Sequence, residues 1–491
     1  MTIPLAASAG APCAALPAFR PPRRAPRPSQ ALRRIAEAAA SALLGAALLA
    51  AQAGCGNTLG DDGTFKPVPT DNTDFAPPTY VPLGNLPITM DLWPRSGPLA
   101  LLAAVNNVAA NPLNSDGTVN PTGTVTVLQN NLGTFSETAT LTTMAFPSLA
   151  LWAQLRGPTA DPDLVLLDNQ NGHVAVYQNT GAGTFAATPS QEFTLGGAAG
   201  QMTITDLEGD GLEDVVITVP ASTQIVALHA DPGGSGVPTE ADTTTVNPLG
   251  HFFAGNLNGD GNLDLAALAG TTISVELWQW DGTLPPAGGF AQTLGAVSFA
   301  LPEHASYIVG GNLLSAAPAP LDLAVLTDVP VSSADYLYVY ATDGTGAPGP
   351  AAALSVALPV RANLLVPLGP VAGPLVDLAV MHTSMRMFSF LKSGNSSYTV
   401  TTPGTTRSAT DAVAGLVNAD ANLDIVTVES ERRTIGVFSG DGQGTFVRTQ
   451  IGLLTQPTFP RIVQVDGVGS DDLLVLEPNS DRLAVFLNLN P

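Results

Sequence analysis

An all-β chain is predicted by three features of this sequence. A short apolar run opened by aspartate recurs at near-regular intervals. An alternating, strand-like segment follows nearly every copy. The 491 residues also include 49 glycines and 42 prolines but only 12% charged residues. The body of the chain shows no amphipathic helical spacing, which leaves strands to bury its core.

The aspartate-led run stands at Asp163 (Asp-Leu-Val-Leu-Leu), Asp214, Asp264, Asp322, Asp377, Asp424 and Asp472, with a degenerate copy at Leu99-Ala100-Leu101-Leu102. Successive copies lie 63, 51, 50, 58, 55, 47 and 48 residues apart. The alternating strand after it reads His173-Val174-Ala175-Val176-Tyr177 in one unit and Ile435-Gly436-Val437-Phe438 in another. Turns of the form Gly-Thr-Phe then follow at Gly133, Gly183 and Gly444. Glycine permits the positive-φ turn, and the phenylalanine is placed to pack between neighbouring units. Units of about 40–50 residues with about four strands each predict a β-propeller. Eight copies predict eight blades. The chain ends within a third strand, Leu483 to Leu489, so the outer strand of the last blade must come from elsewhere. Residues 79–83 can supply it, which would pair the two ends of the ring and remove its exposed edges. Pro82 is acceptable at such an outer position.

In chain order, residues 1–54 read as an export signal. Arg20, Arg23, Arg24, Arg27, Arg33 and Arg34 precede an apolar run from Ala38 to Ala51. The run is shorter than the roughly 18 residues of a spanning helix. Its ending, Ala53-Gly54-Cys55, looks like a bacterial lipobox, which implies lipidation of Cys55; an ordinary secreted protein is the other reading. Residues 55–78 are rich in proline and aspartate and read as a tether. Residues 79–491 form the propeller. Cys13 and Cys55 are the two cysteines, and Cys13 leaves with the signal. That excludes an internal disulfide, thiol catalysis and a cysteine-ligated zinc.

The stretch Asp206-Leu207-Glu208-Gly209-Asp210-Gly211-Leu212-Glu213-Asp214 places carboxylates at alternating positions around glycines. Calcium takes six to eight hard oxygen ligands, so a short loop must aim several carboxylates inward while turning sharply. The frame returns as Asn256-Leu257-Asn258-Gly259-Asp260-Gly261-Asn262-Leu263-Asp264. These loops, with the Gly-Thr-Phe turns, resemble the FG-GAP/VCBS repeats, the family of the integrin α-subunit propeller, over roughly residues 88 to 491. The family's better-known members have seven blades, which keeps seven as the alternative count. The resemblance implies calcium held through positions one, three, five and nine and the carbonyl at seven. On this chain that gives Asp206, Glu208, Asp210, the Leu212 carbonyl and Asp214. A second set is Asn256, Asn258, Asp260, the Asn262 carbonyl and Asp264, with less negative charge. A weaker third set is Asn418, Asp420, Asn422 and Asp424, with Leu416 in the first ligand's place. Affinity is expected at about 10⁻⁴–10⁻³ M. The aspartates of the remaining copies are expected to hold backbone amides in the turn before the strand, and the same role is the competing reading of the three loops.

The formal net charge is −23. The first 54 residues hold six of the 18 basic residues and one of the 41 acidic ones, so the remainder carries 12 against 40. Such a surface repels phosphate backbones and anionic lipid headgroups, which excludes nucleic acid and leaves a lipid anchor as the sole membrane contact. No hydrolase, metalloprotease or phosphate-cradling motif occurs. The histidines at 173, 229, 251, 304 and 382 are scattered among the units, with His173 in a strand and His251 just before one. Trp152, Trp278 and Trp280 suit either packing between blades or a sugar platform. The expectation is a calcium-binding module or scaffold for a protein or glycan, displayed at the outer membrane or cell surface, or else secreted or periplasmic. An exported polysaccharide lyase or hydrolase is the alternative, marked by His, Arg, Tyr or carboxylates gathered at the channel mouth. A purely structural envelope protein is the third.

Overall fold

The computed structural model describes residues 70–490 apart from intervening segments, among them 107–122, 281–289 and 403–408. The signal-like segment 1–54 and Cys55 lie outside the described residues. Eight antiparallel sheets of four or more strands are described. The first runs Pro87–Trp93, Leu101–Asn106, Gly123–Asn131 and Thr134–Met144 from inside to outside. The later sheets begin with Leu149–Ala153, Met202–Thr205, Leu249–Gly255, Ala305–Gly311, Ala362–Leu368, Asp411–Gly415 and Thr458–Val463. Each of these first strands is an innermost strand. Pro87–Trp93 lies against Leu149–Ala153 of the next sheet, and Thr458–Val463 lies back against Pro87–Trp93. Between the third and fourth sheets the Gln201 amide reaches across, accepting from Phe252 N at 3.2 Å and donating to Phe252 O at 3.4 Å.

The second strands explain the recurring apolar run. Seven begin at the repeated aspartate and are buried at nearly every described position: Asp163–Asp168, Asp214–Val219, Asp264–Ala269, Asp322–Thr327, Asp377–His382, Asp424–Glu429 and Asp472–Glu477. Side chains of a strand alternate between its two faces. Here both faces are covered, because each sheet is sandwiched between two others. In the second sheet Leu164 and Leu166 pack on the first sheet. Val165 and Leu167 pack on the third. A strand buried on both sides reads as continuous apolar sequence. The phenylalanines of the Gly-Thr-Phe turns fill the same inter-sheet layers. Phe135 packs between the eighth and first sheets, Phe185 between the first and second, and Phe446 between the sixth and seventh.

The eighth sheet takes its outer strand from the other end of the chain. Thr79–Pro82 pairs antiparallel with Arg482–Val485. Arg482 lies over the Tyr80 ring, 3.6 Å from its centroid, and ion-pairs with Glu477. The packed chain also starts before residue 79. Phe75 is buried against Phe486, with ring centroids 6.4 Å apart, in a core shared by the seventh and eighth sheets. Asp71 N and Asn72 N donate to Gln450 O, and Leu489 N donates to Asp74 O. Residues 70–76 thus belong to the folded body, although their composition reads as tether.

Candidate functional site

The recurring aspartate closes each unit. Asp472 Oδ2 accepts from Val465 N at 2.6 Å and Asp466 N at 3.3 Å, while Oδ1 accepts from Asn488 N at 2.7 Å. Asp424 does the same with Val417 N, Asn418 N and Gly440 N. Asp214 holds Leu207 N and Ala230 N, both at 2.9 Å. In each case one oxygen ties the loop before the second strand, and the other ties the end of the third strand sixteen residues on. The carboxylate thereby satisfies amides that no ladder reaches. Asp163 adds Arg156, whose guanidinium forks onto it at 2.6 to 3.1 Å, and Asp377 adds Lys392 at 2.9 Å. Burial raises the carboxyls of Asp163, Asp322, Asp424 and Asp472 above their ordinary value, against the lowering effect of these hydrogen bonds. The expectation for the degenerate copies, a backbone-binding aspartate, describes the good loops equally.

Within the Asp206–Asp214 loop, Asp206 Oδ1 accepts from Gly209 N at 2.7 Å and Asp210 N at 3.2 Å, and Oδ2 accepts from Gly211 N at 2.9 Å. Asp210 Oδ1 accepts from Leu212 N at 2.8 Å. Gly209 and Gly211 have φ of +72° and +88°, a region costly for other residues. Glu208 lies outside the described residues. Among the described residues no three His, Cys, Asp or Glu side chains converge closely enough to hold a metal. The donor set is nonetheless all oxygen, and a carboxylate oxygen that accepts one amide hydrogen keeps a second lone pair for a cation. The residues fit calcium by their chemistry.

The second loop shows the same Asx turn, with Asn256 Oδ1 accepting from Gly259 N at 2.6 Å and Asp264 Oδ2 from Leu257 N at 2.8 Å and Asn258 N at 3.2 Å. Asp260 and Asn262 lie outside the described residues. In the third, Asn418 Oδ1 accepts from Asp420 N at 2.9 Å, and Asp420 Oδ1 from Asn422 N at 2.8 Å.

The innermost strands gather a second set of polar groups. His251, expected just before a strand, lies inside Leu249–Gly255, and its ring stacks on Tyr307 of the next sheet at 4.3 Å between centroids. Although the residue is exposed as a whole, desolvation of the part that the Tyr307 ring covers holds its imidazole below the ordinary value. Asp411 of the seventh sheet is raised by burial and stands close enough to Arg461 of the eighth for their charges to interact. Arg461 is lowered by burial and also feels Asp91 of the first sheet. Tyr307 is raised by burial and by the Asp411 charge. No local motif announces this set, because each member comes from a different unit. Trp152 is fully buried, with its backbone N–H donating to Asp91 Oδ2 at 2.8 Å, so it packs between sheets and offers no sugar platform. The side chains of Trp278 and Trp280, and His304 as a whole, lie outside the description.

Residues 160–217 match the FG-GAP-like repeat family, a span from the second strand of the second sheet through the Asp206–Asp214 loop. No curated protein matches in sequence. Among solved structures, the chain is similar to Saccharomyces cerevisiae Sqt1, at 9% identity and a TM-score of 0.53, over 84% of this chain and 98% of that one. It is similar to the Dos1 propeller at 12% identity and a TM-score of 0.53, over 85% of this chain and 95% of that one. Identities this low speak to fold alone. Taken with the sandwiched sheets, they make this chain a β-propeller that carries an FG-GAP-like repeat over residues 160–217.

Proposed function

We propose that this chain is an exported, lipid-anchored, calcium-stabilised propeller of eight blades that serves as a binding or scaffold module at the cell envelope, with a protein or glycan as ligand. The observation that carries the reading is the Asp206–Asp214 loop. Two left-handed glycines turn the loop that carries Asp206, Asp210, Leu212 and Asp214, with Asp206 and Asp210 held by the loop's own amides. Asp206, Glu208, Asp210, Leu212 and Asp214 would hold the ion, which supplies rigidity to a loop and no chemistry. Asn256, Asn258, Asp260, Asn262 and Asp264 form the weaker second site. Asn418, Asp420, Asn422 and Asp424 form the third. The acidic surface argues against nucleic acid, and the membrane is met through Cys55 alone. Cells fed an alkyne-tagged fatty acid are expected to label the wild-type chain and not Cys55→Ser; equal labelling of both overturns the anchor.

An exported enzyme is the second reading, favoured by His251, Tyr307, Asp411 and Arg461, titratable groups that the innermost strands of four sheets bring within reach of one another's charge or rings. Incubation of the full chain with oligosaccharides, followed by mass analysis, separates the two. A binding module returns every oligosaccharide intact. Shortened or unsaturated products would move the assignment to an enzyme.

A further inference from the structure

A cavity of about 330 Å³ opens between the sixth and seventh sheets, on the side where the loop Asn418–Asp424 and the Gly444-Thr445-Phe446 turn meet. One residue sets this seam apart from two others. In the eighth sheet, Asn488 at the end of the third strand donates from Nδ2 to Val417 O of the preceding sheet at 2.6 Å. In the first sheet Asn130 similarly reaches Val465 O of the eighth at 2.7 Å. The seventh sheet has Gly440 at that position, its N–H on Asp424 Oδ1 as Asn488 N is on Asp472 Oδ1. A Cβ there would sit 2.9 Å from Leu423 O and 3.0 Å from the Phe446 ring. No side chain crosses from this position to the sixth sheet.

The space left has an apolar floor and a polar rim. Phe446 and Phe390 form the floor, packed edge to face at 5.1 Å between centroids. On the rim, Lys392 Nζ pairs with Asp377 Oδ2 at 2.9 Å, while Asp377 Oδ1 is held by Ser393 N and Oγ at 2.6 Å each. Lys392 thereby uses one of its three N–H groups. The side-chain amides of Asn422 and Gln443 also line the rim and make no hydrogen bond to described residues. An apolar floor beside convergent polar groups that fix orientation is the pairing a small-molecule site uses.

We infer that this cavity binds a neutral hexopyranose unit of a glycan, its C–H face on the two phenylalanines and its hydroxyls on Asn422, Gln443 and the Lys392–Asp377 pair. The inference rests on the binding-module reading and names its ligand. An anionic ligand fits less well, since Asp377 neutralises Lys392 and the whole chain carries −23. A wholly apolar ligand would strip water from four polar groups without replacing it.

The test titrates maltotriose, cellotriose and chitotriose into the full chain, read by saturation-transfer NMR, beside Gln443→Ala and Asn422→Ala. The expected result is transfer to ring protons of at least one trisaccharide and an affinity about tenfold weaker in each variant, with melting unchanged. Gln443 is exposed and its side chain holds nothing in place, so that variant stays informative even if Asn422→Ala loses its fold. A trisaccharide bound equally by all three proteins overturns the cavity as the site and leaves the binding-module reading standing. Failure of the wild type to bind any of them overturns the sugar assignment, and intact recovery of other oligosaccharides still separates module from enzyme.

Discussion

At Asp472 three backbone amides converge on one buried carboxylate, and removing it leaves all three without their acceptor. Asp472→Ala is expected to cost about 3 kcal/mol, read as a lower denaturant midpoint at unchanged slope. Asp466→Ala, whose Oδ1 holds Val468 N at the loop tip, should cost about 1 kcal/mol or less. Equal losses would contradict the closing role of the repeated aspartate. Half of that role was legible in the sequence, since an aspartate before an apolar run implies a turn. The other half, the bond to the third strand sixteen residues on, was written as a constant spacing. It has no meaning until hairpin geometry brings Asn488, Gly440 and Ala230 beside the carboxylate. The innermost-strand set and the cavity were not legible at all, because both assemble residues of different units.

Among elements, the segment 70–82 joins the two ends of the folded body. Its strand Thr79–Pro82 completes the eighth sheet, and Phe75 fills a core with Val417, Ile451 and Phe486. Pairing of the ends was readable, because the last unit lacks an outer strand. The docking of residues 70–76 was not, since prolines and aspartates around a single phenylalanine carry no periodicity. Phe75→Ala is expected to destabilise by about 3 kcal/mol and to expose the segment to proteolysis. A variant as stable and as protease-resistant as the wild type would show that the segment rests on the surface without supporting it.

For the whole molecule, acid acts through the buried carboxyls. Asp163, Asp322 and Asp472 are raised by desolvation above 3.8, so in the folded state they take up protons at higher pH than in the unfolded chain. Their contribution to stability is therefore complete below 3.8 and is lost as pH rises through the folded values. His251 works in the opposite sense, losing its share as pH falls below 6.5. With five raised carboxyls, Asp411 and Asp424 included, against His251 and an Asp441 lowered by the Thr445 and Gln443 amides, and a net charge of −23 relieved by acid, melting in chelator at about pH 5 should be no lower than at about pH 7. A clear fall would show that the carboxylates are held by their charge.

Calcium would stabilise the Asp206–Asp214 loop, and the most direct measurement of this is the melting temperature of the full chain in about 5 mM calcium and in excess chelator, at one pH. A site with a dissociation constant of about 10⁻⁴ M adds about 2 kcal/mol under these conditions, a rise of about 2–5 °C. The predicted result is that rise in the wild type, a smaller one in Asp260→Ala, and none attributable to the first loop in Asp210→Ala. Identical melting of the wild type in calcium and in chelator would contradict the account, and Asp206 and Asp210 would then be turn-forming residues alone.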